Sequence, residues 1–206
     1  MKVALIGITG RVGTRVAEEL LQRGHTVTGI ARNPERVEAG PGLTVLKGDA
    51  SDPSSLTPLL TGHDAVISAG RFMTMDAAKL IDAVKRAGVP RLLVVGGAGS
   101  LEIAPGKALI DTPEFPAAYK PEASAGRVFL DVLRTEPKDA ALNWTFLSPS
   151  ALFEPGVRTG KFRIGGDELL VDAGGKSWIS MEDYAIALVD ELEKNQHPRT
   201  RFTVGY

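Results

Sequence analysis

The sequence predicts an α/β fold in which a doubly wound parallel sheet is covered by helices on both faces. Two observations carry this expectation. Short unbroken apolar runs, Val3-Ala4-Leu5-Ile6, Ala65-Val66-Ile67 and Leu92-Leu93-Val94-Val95, have the continuous apolarity of strands buried on both faces. Between such runs the period lengthens to that of a helix: Val12, Val16 and Leu20 recur every four residues, with Ala17 and Leu21 beside them. Strands alternating with helices over short connections imply a parallel sheet with right-handed crossovers.

The elements follow in order. The first strand, Val3 to Ile6, ends at Gly7, and the helix opening at Arg11 stops near Gly24. His25 to Ala31 reads as the second strand, Asn33 to Glu38 as a short helix opened by Asn-Pro, and Leu43 to Leu46 as the third strand. Asp52-Pro53 starts a helix through Leu60, ahead of a fourth strand over Ala65 to Ser68. Leu80, Ile81, Val84 and Ala87 give the next helix its buried face; Gly88 ends it before the fifth strand, Leu92 to Val95. Residues 96 to 120 form a long connection rich in Gly, Pro and Ala, of a length that is usually functional or mobile. A helix from Pro121 to about Thr135 and a sixth strand, Trp144 to Leu147, come next. Short strand-like pieces (Leu169 to Val171, Trp178-Ile179), a helix from about Met181 to Lys194 and a last strand around Phe202 to Val204 complete the reading.

Composition excludes several classes of function. The 206 residues are 43% hydrophobic and 24% charged, an ordinary globular balance. A net charge of −1 gives no electrostatic case for nucleic acid or an anionic membrane. Without cysteine there are no disulfides, thiolate nucleophiles or thiolate metal sites. His25, His63 and His197 are scattered, with no metal spacing such as H-E-x-x-H, and read as surface or strand-end residues, so no metal is expected. No signal-peptide pattern opens the chain, and no apolar run approaches the roughly 20 residues needed to cross a bilayer; a cytoplasmic location is the expectation.

The motif that carries chemistry is Gly7-Ile8-Thr9-Gly10-Arg11-Val12-Gly13, set between the first strand and the first helix. Gly7 permits a sharp turn out of the strand, Gly10 leaves room for a pyrophosphate, and Gly13 lets the helix pack close to the sheet. The N–H groups at the helix start then face the phosphates, aided by the helix dipole. The spacing is G-x-x-G-x-x-G rather than G-x-G-x-x-G, and its placement after an apolar strand and before an amphipathic helix makes it specific. A Rossmann fold binding a nicotinamide dinucleotide is the expectation. It occupies residues 1–206 as one domain: about 1–135 hold the cofactor, and about 136–206 complete the sheet and form a small substrate-facing portion.

NAD-preferring sites carry an acidic residue at the end of the second strand to hold the ribose hydroxyls. Here that strand ends Ile30-Ala31-Arg32-Asn33, with no carboxylate. Arg32 can pair with a 2′-phosphate, with Arg11 as a second contact, so NADP(H) is expected in preference to NAD(H).

The Gly7 to Gly13 loop, Arg32-Asn33-Pro34, Gly48 to Pro53 and Gly96-Gly97-Ala98-Gly99-Ser100 resemble the atypical short-chain dehydrogenase/reductase branch. Within it they are most similar to NADH–flavin reductase-like and NmrA-like NAD(P)H-binding proteins. The resemblance continues through Asp111 to Pro116, Leu147-Ser148-Pro149 and Ile179 to Ala185. It implies that Asp49 and Ala50 lie beside the adenine and that Ala69, Gly70 and Arg71 lie near the ribose. It also implies that Gly97 and Ser100 flank the nicotinamide. Ser148 joins the cofactor set, and Ser148, Pro149 and Phe153 are candidates to line an acceptor pocket, Phe153 equally a candidate for the core.

The departure from the broader family is chemical. Many of its members use a Tyr-x-x-x-Lys pair, in which lysine lowers the tyrosine pKa. Tyr119 is followed four positions on by Ala123, and Tyr184 by Leu188. Lys120, adjacent to Tyr119, projects about 100° away on a helix. Ser100 and Tyr119 therefore stand as the candidate catalytic side chains without the usual partner. Asp49 and Asp52 read as turn formers and caps, and Glu182 and Asp183 as acids favoured at a helix start. The expected function is hydride transfer from NADPH to a small-molecule acceptor such as a flavin or quinone, by a monomer or homodimer. The alternatives are an NADP(H)-binding redox sensor of the NmrA-like type and a sugar-nucleotide epimerase or dehydratase.

Overall fold

Strand pairing begins at the N-terminus of the computed structural model, which describes residues 1–136 and 142–206. β1 (Lys2–Ile6), β2 (Thr26–Ala31), β3 (Leu43–Lys47), β4 (Ala65–Ser68) and β5 (Arg91–Val95) alternate with α1 (Arg11–Gln22), α2 (Pro53–Leu60) and α3 (Ala77–Arg86). A hairpin of β6 (Glu102–Ala104) and β7 (Lys107–Ala108) precedes α4 (Lys120–Thr135). β8 (Asn143–Ser148), β9 (Leu152–Glu154), β10 (Arg163–Gly165), β11 (Trp178–Ser180), α5 (Met181–Lys194) and β12 (Thr200–Gly205) follow. The main sheet runs β10-β12-β8-β5-β4-β1-β2-β3 and is parallel except for β10, which is antiparallel to β12.

The unbroken apolar runs have a simple cause. Val3 and Leu5 of β1 pack with Val16 and Leu20 of α1 and Leu188 of α5. Ala4 and Ile6 pack on the other face with Leu56, Leu80 and Val84 of α2 and α3. Both faces of each central strand are covered, so apolar residues dominate both and the few polar ones are hydrogen-bonded. Winding reverses between β1 and β4, and open α/β sheets bind ligands beyond the strand carboxyl ends at such a point.

Two expectations need correction. The segment after Asn33 is a single 3₁₀ turn, Pro34–Arg36, because Val37 returns to extended backbone. Leu169 to Val171 is not a strand. Leu170 instead plugs the space over Gly165 and Gly205, where added Cβ atoms would lie 2.9 and 3.1 Å from it. Trp178-Ile179 is a strand, as expected, and it pairs with β9 in a separate two-stranded sheet. Among the described residues, no helix is long and apolar enough to cross a membrane.

Candidate functional site

The chain leaves β1 through Gly7, which adopts φ +83° and donates its N–H to the Ile30 carbonyl at 2.9 Å. A Cβ on Gly13 would lie 2.2 Å from the Gly7 carbonyl oxygen, so α1 is pressed against the turn it follows. Gly13 is buried and lines neither of the clefts described below; its part is packing. Thr14, which the sequence reading did not single out, ties the loop by donating from Oγ1 to the carbonyls of Ile8 (3.2 Å) and Gly10 (2.9 Å). Gly10 is the N-cap of α1 and no side chain caps it. The first helical N–H groups have no intrahelical acceptor and carry the positive end of the dipole, which suits a pyrophosphate.

This loop opens into two joined clefts. The smaller, about 170 Å³, is lined by Gly7, Thr9 and Gly10, by Arg32 after β2, by Asp49 and Ala50 after β3, and by Ala69, Gly70 and Arg71 after β4. Arg32 is exposed at its edge, whereas Arg11 lines the other cleft. The Asp49 carboxylate accepts from the Ser51 N–H (2.9 Å) and hydroxyl (2.8 Å), which hold its carboxyl below the usual range. Asp52 caps α2 through the N–H groups of Ser54 and Ser55. These acids form turns, as the sequence suggested, and do not make an acid/base pair.

The larger cleft, about 830 Å³, shares Gly10, Ala69, Gly70 and Arg71 with the first. Arg11, Val12, Gly97, Ser100 and Tyr119 line it, together with Phe72, Phe115, Pro116, Phe153 and Met181. Phe153 also packs on the buried Tyr184, ring centroids 4.7 Å apart, so it serves core and cleft together. Glu122, on the first turn of α4, accepts from the backbone N–H groups of Phe72 (2.7 Å) and Met73 (3.2 Å). It thereby clamps the turn after β4, and no motif in the sequence signals it.

No phenol–lysine pair exists among the described residues. Tyr119 is 67% exposed at the start of α4. At the position four residues on, Ala123 lies so close to Gly99 that a Cβ there would be 2.9 Å from its methyl group. Tyr184 is fully buried and donates to the Leu147 carbonyl at 2.7 Å, and burial pushes its phenol far up. Ser148 lines neither cleft. It is fully buried, its carbonyl accepting from Thr203 Oγ1 at 2.9 Å and its hydroxyl from Arg201 Nη1 at 3.3 Å.

The histidines and the acids at the start of α5 have structural partners. His25 contacts Glu193, His63 contacts Thr28, and His197 contacts Glu191, at 2.8 to 2.9 Å. No group of histidines and acids capable of holding a metal ion occurs among the described residues. Glu182 and Asp183 go beyond helix capping, which Ser180 performs. Glu182 binds Arg15 and the Gly156 N–H, while buried Asp183 accepts from Thr159, Gly160 and the Tyr206 hydroxyl.

A protein-family model described as NAD(P)H-binding matches residues 7–195, spanning the glycine turn and both clefts. The chain belongs to the NAD(P)H-binding family. YwnB of Bacillus subtilis is 41% identical, the match covering 99% of this chain and 98% of YwnB. A candidate epimerase from Bacteroides thetaiotaomicron superposes with a TM-score of 0.92 at 44% identity, covering 100% of this chain and 96% of the other. A candidate NADH-flavin reductase from Streptococcus pneumoniae does so at 0.85 and 39%, covering 100% and 99%. Similar folds thus carry different candidate functions, and the choice between them rests on the cleft.

Proposed function

We propose that this NAD(P)H-binding protein is a reductase that prefers NADPH and passes hydride to a flat conjugated acceptor, a flavin or a quinone. The observation that carries the reading is the direct opening of the cofactor cradle into an apolar, aromatic-walled cleft that holds no phenol–lysine pair. The bound dinucleotide supplies the hydride. The protein's work is placement: the amides after Gly10 hold the pyrophosphate, Arg32 the 2′-phosphate, and Asp49 and Ala50 flank the adenine. Ala69, Gly70 and Arg71 border the ribose, and Gly97 and Ser100 the nicotinamide. Phe72, Phe115 and Phe153 wall the acceptor and exclude water, and Tyr119 offers its ring and hydroxyl from an exposed position. Flavins and quinones take their protons from water, so alignment of the reacting atoms is the main requirement. A redox sensor would favour an apolar patch on the connection before α4. The large hydrophobics exposed there, among the described residues, are Ile103 and Tyr119, and Tyr119 belongs to the cleft.

The test is oxidation of NADPH and NADH by the purified protein with excess FMN, followed by nicotinamide absorbance. Saturable oxidation, faster with NADPH, is expected; no oxidation with FMN or a quinone would end the reductase reading. Arg32→Ala should shrink the NADPH-to-NADH affinity ratio by about 10-fold or more, the worth of one charge-assisted hydrogen bond. An unchanged ratio in paired binding titrations would remove Arg32 from the 2′-phosphate site.

A further inference from the structure

We infer that Arg201, a buried arginine of β12, is a positioning residue for the acceptor: it commits the Ser100 hydroxyl to donate into the cleft and lends its charge to the reduced acceptor. The inference rests on the reductase reading. The Arg201 side chain is 2% exposed, and a guanidinium so buried is costly unless its N–H groups are used. Nε donates to Asp167 Oδ1 at 2.7 Å, and Nη2 reaches the same carboxylate. Two further bonds reach Ser100, which lines the larger cleft: Nη1 donates to Ser100 Oγ and Nη2 to the Ser100 carbonyl, each at 3.4 Å. Nη1 also donates to the buried Ser148 Oγ at 3.3 Å and Nη2 to the Asp167 carbonyl at 3.4 Å. Asp167 is itself half-exposed, so the pair is a buried cation with a solvated anion.

A guanidinium can only donate. Ser100 Oγ therefore spends a lone pair on Arg201 and keeps its own O–H, for which the described residues offer no acceptor. Ser100 lines the larger cleft. A hydroxyl held this way is an oriented donor, polarised by the cation behind it.

Hydride transfer gains from such a donor, although the proton itself comes from water. Hydride leaves the nicotinamide C4 with both electrons of its C–H bond and forms an N–H bond at flavin N5. The nicotinamide ring becomes cationic, and one negative charge is left across the flavin N1 and C2 carbonyl until water supplies a proton. Preorganised donors facing developing charge are worth the most in a site that excludes water.

The test compares affinities for reduced and oxidised FMN, measured anaerobically above neutral pH, where reduced FMN is an anion, without nicotinamide present. The unsubstituted protein should bind reduced FMN about 10-fold or more tightly than oxidised FMN. Ser100→Ala and Arg201→Gln should each bring that ratio close to one, and the double variant should lose no more than either single change. Arg201→Lys should retain part of the preference, and with Ser100→Ala it carries the test if Arg201→Gln fails to fold. At saturating FMN the same variants should slow hydride transfer with KM for NADPH unchanged. A preference that survives in Arg201→Gln or Arg201→Lys at full strength, or losses that add in the double variant, would make Arg201 a structural tie only and leave the reductase reading standing. Failure of the unsubstituted protein to bind FMN would instead overturn this inference alone, and failure to reduce both FMN and a quinone would remove the reductase reading with it.

Discussion

Gly13→Ala is expected to lower the unfolding free energy by about 3 kcal/mol, because its new methyl group meets backbone that cannot move aside. The Cβ would lie 2.2 Å from the Gly7 oxygen and 2.9 Å from the Gly7 carbonyl carbon. Relief would require α1 to lift from the sheet, where Val16 and Leu20 are fully buried. Gly10→Ala should behave differently. Its Cβ would come no nearer than 3.2 Å to the Gly7 oxygen, so the fold should bear it. Space facing the helix start would be lost, and NADPH affinity should fall about 10-fold or more. Urea unfolding paired with an NADPH titration separates the two effects. If Gly13→Ala unfolds at the parent's midpoint, or Gly10→Ala binds NADPH as the parent does, the division between packing and cradle is wrong.

Glu191→Ala should cost about 3–5 kcal/mol, the loss expected when a buried ion pair is broken from one side. Glu191 on α5 is almost fully buried and accepts from Arg91 Nη2 and from His197 Nδ1, each at 2.8 Å. It also receives the backbone N–H groups of Gln196 and His197. Its removal would leave the Arg91 guanidinium buried with neutral partners, Thr145 at 2.8 Å and Asn143 at 3.2 Å, while Arg91 Nε already has none. Arg91 opens β5, at the end of the sheet away from the clefts, so NADPH affinity of the folded fraction should be unchanged. Thermal and denaturant unfolding check the first claim; a loss below about 1 kcal/mol would mean that the pair is dispensable.

Local signals explain what was readable beforehand. The glycine turn, the apolar runs of β1, β4 and β5, and the start of α5 at Met181 depend on neighbours within a few residues. The short strands β9 and β10 do not: each has three residues and is defined by a partner far along the chain. The site divides in the same way. Ser148 and Ser100 both follow or end a strand, but which hydroxyl meets the cleft depends on side-chain alternation and on β12 lying beside β8. Arg201 gave a clue that only the structure makes legible. Phe202 and Val204 face the α1–α5 layer, which puts Arg201 on the opposite face, where a charge demands partners. Glu122 carried no clue, since an acid in the first turn of a helix is unremarkable.

The position of β12 also sets an order of assembly. Its neighbours are β8 and β10, both made earlier, so the edge strand has nothing to pair with until residues 200–205 arrive. The glycine turn leans on Ile30 and Ala69, which leave the ribosome far sooner. During synthesis the dinucleotide cradle is therefore encoded first, and the wall behind Ser100 waits for Arg201. A nascent chain carries every backbone partner of its glycine turn before it carries the arginine that holds Ser100.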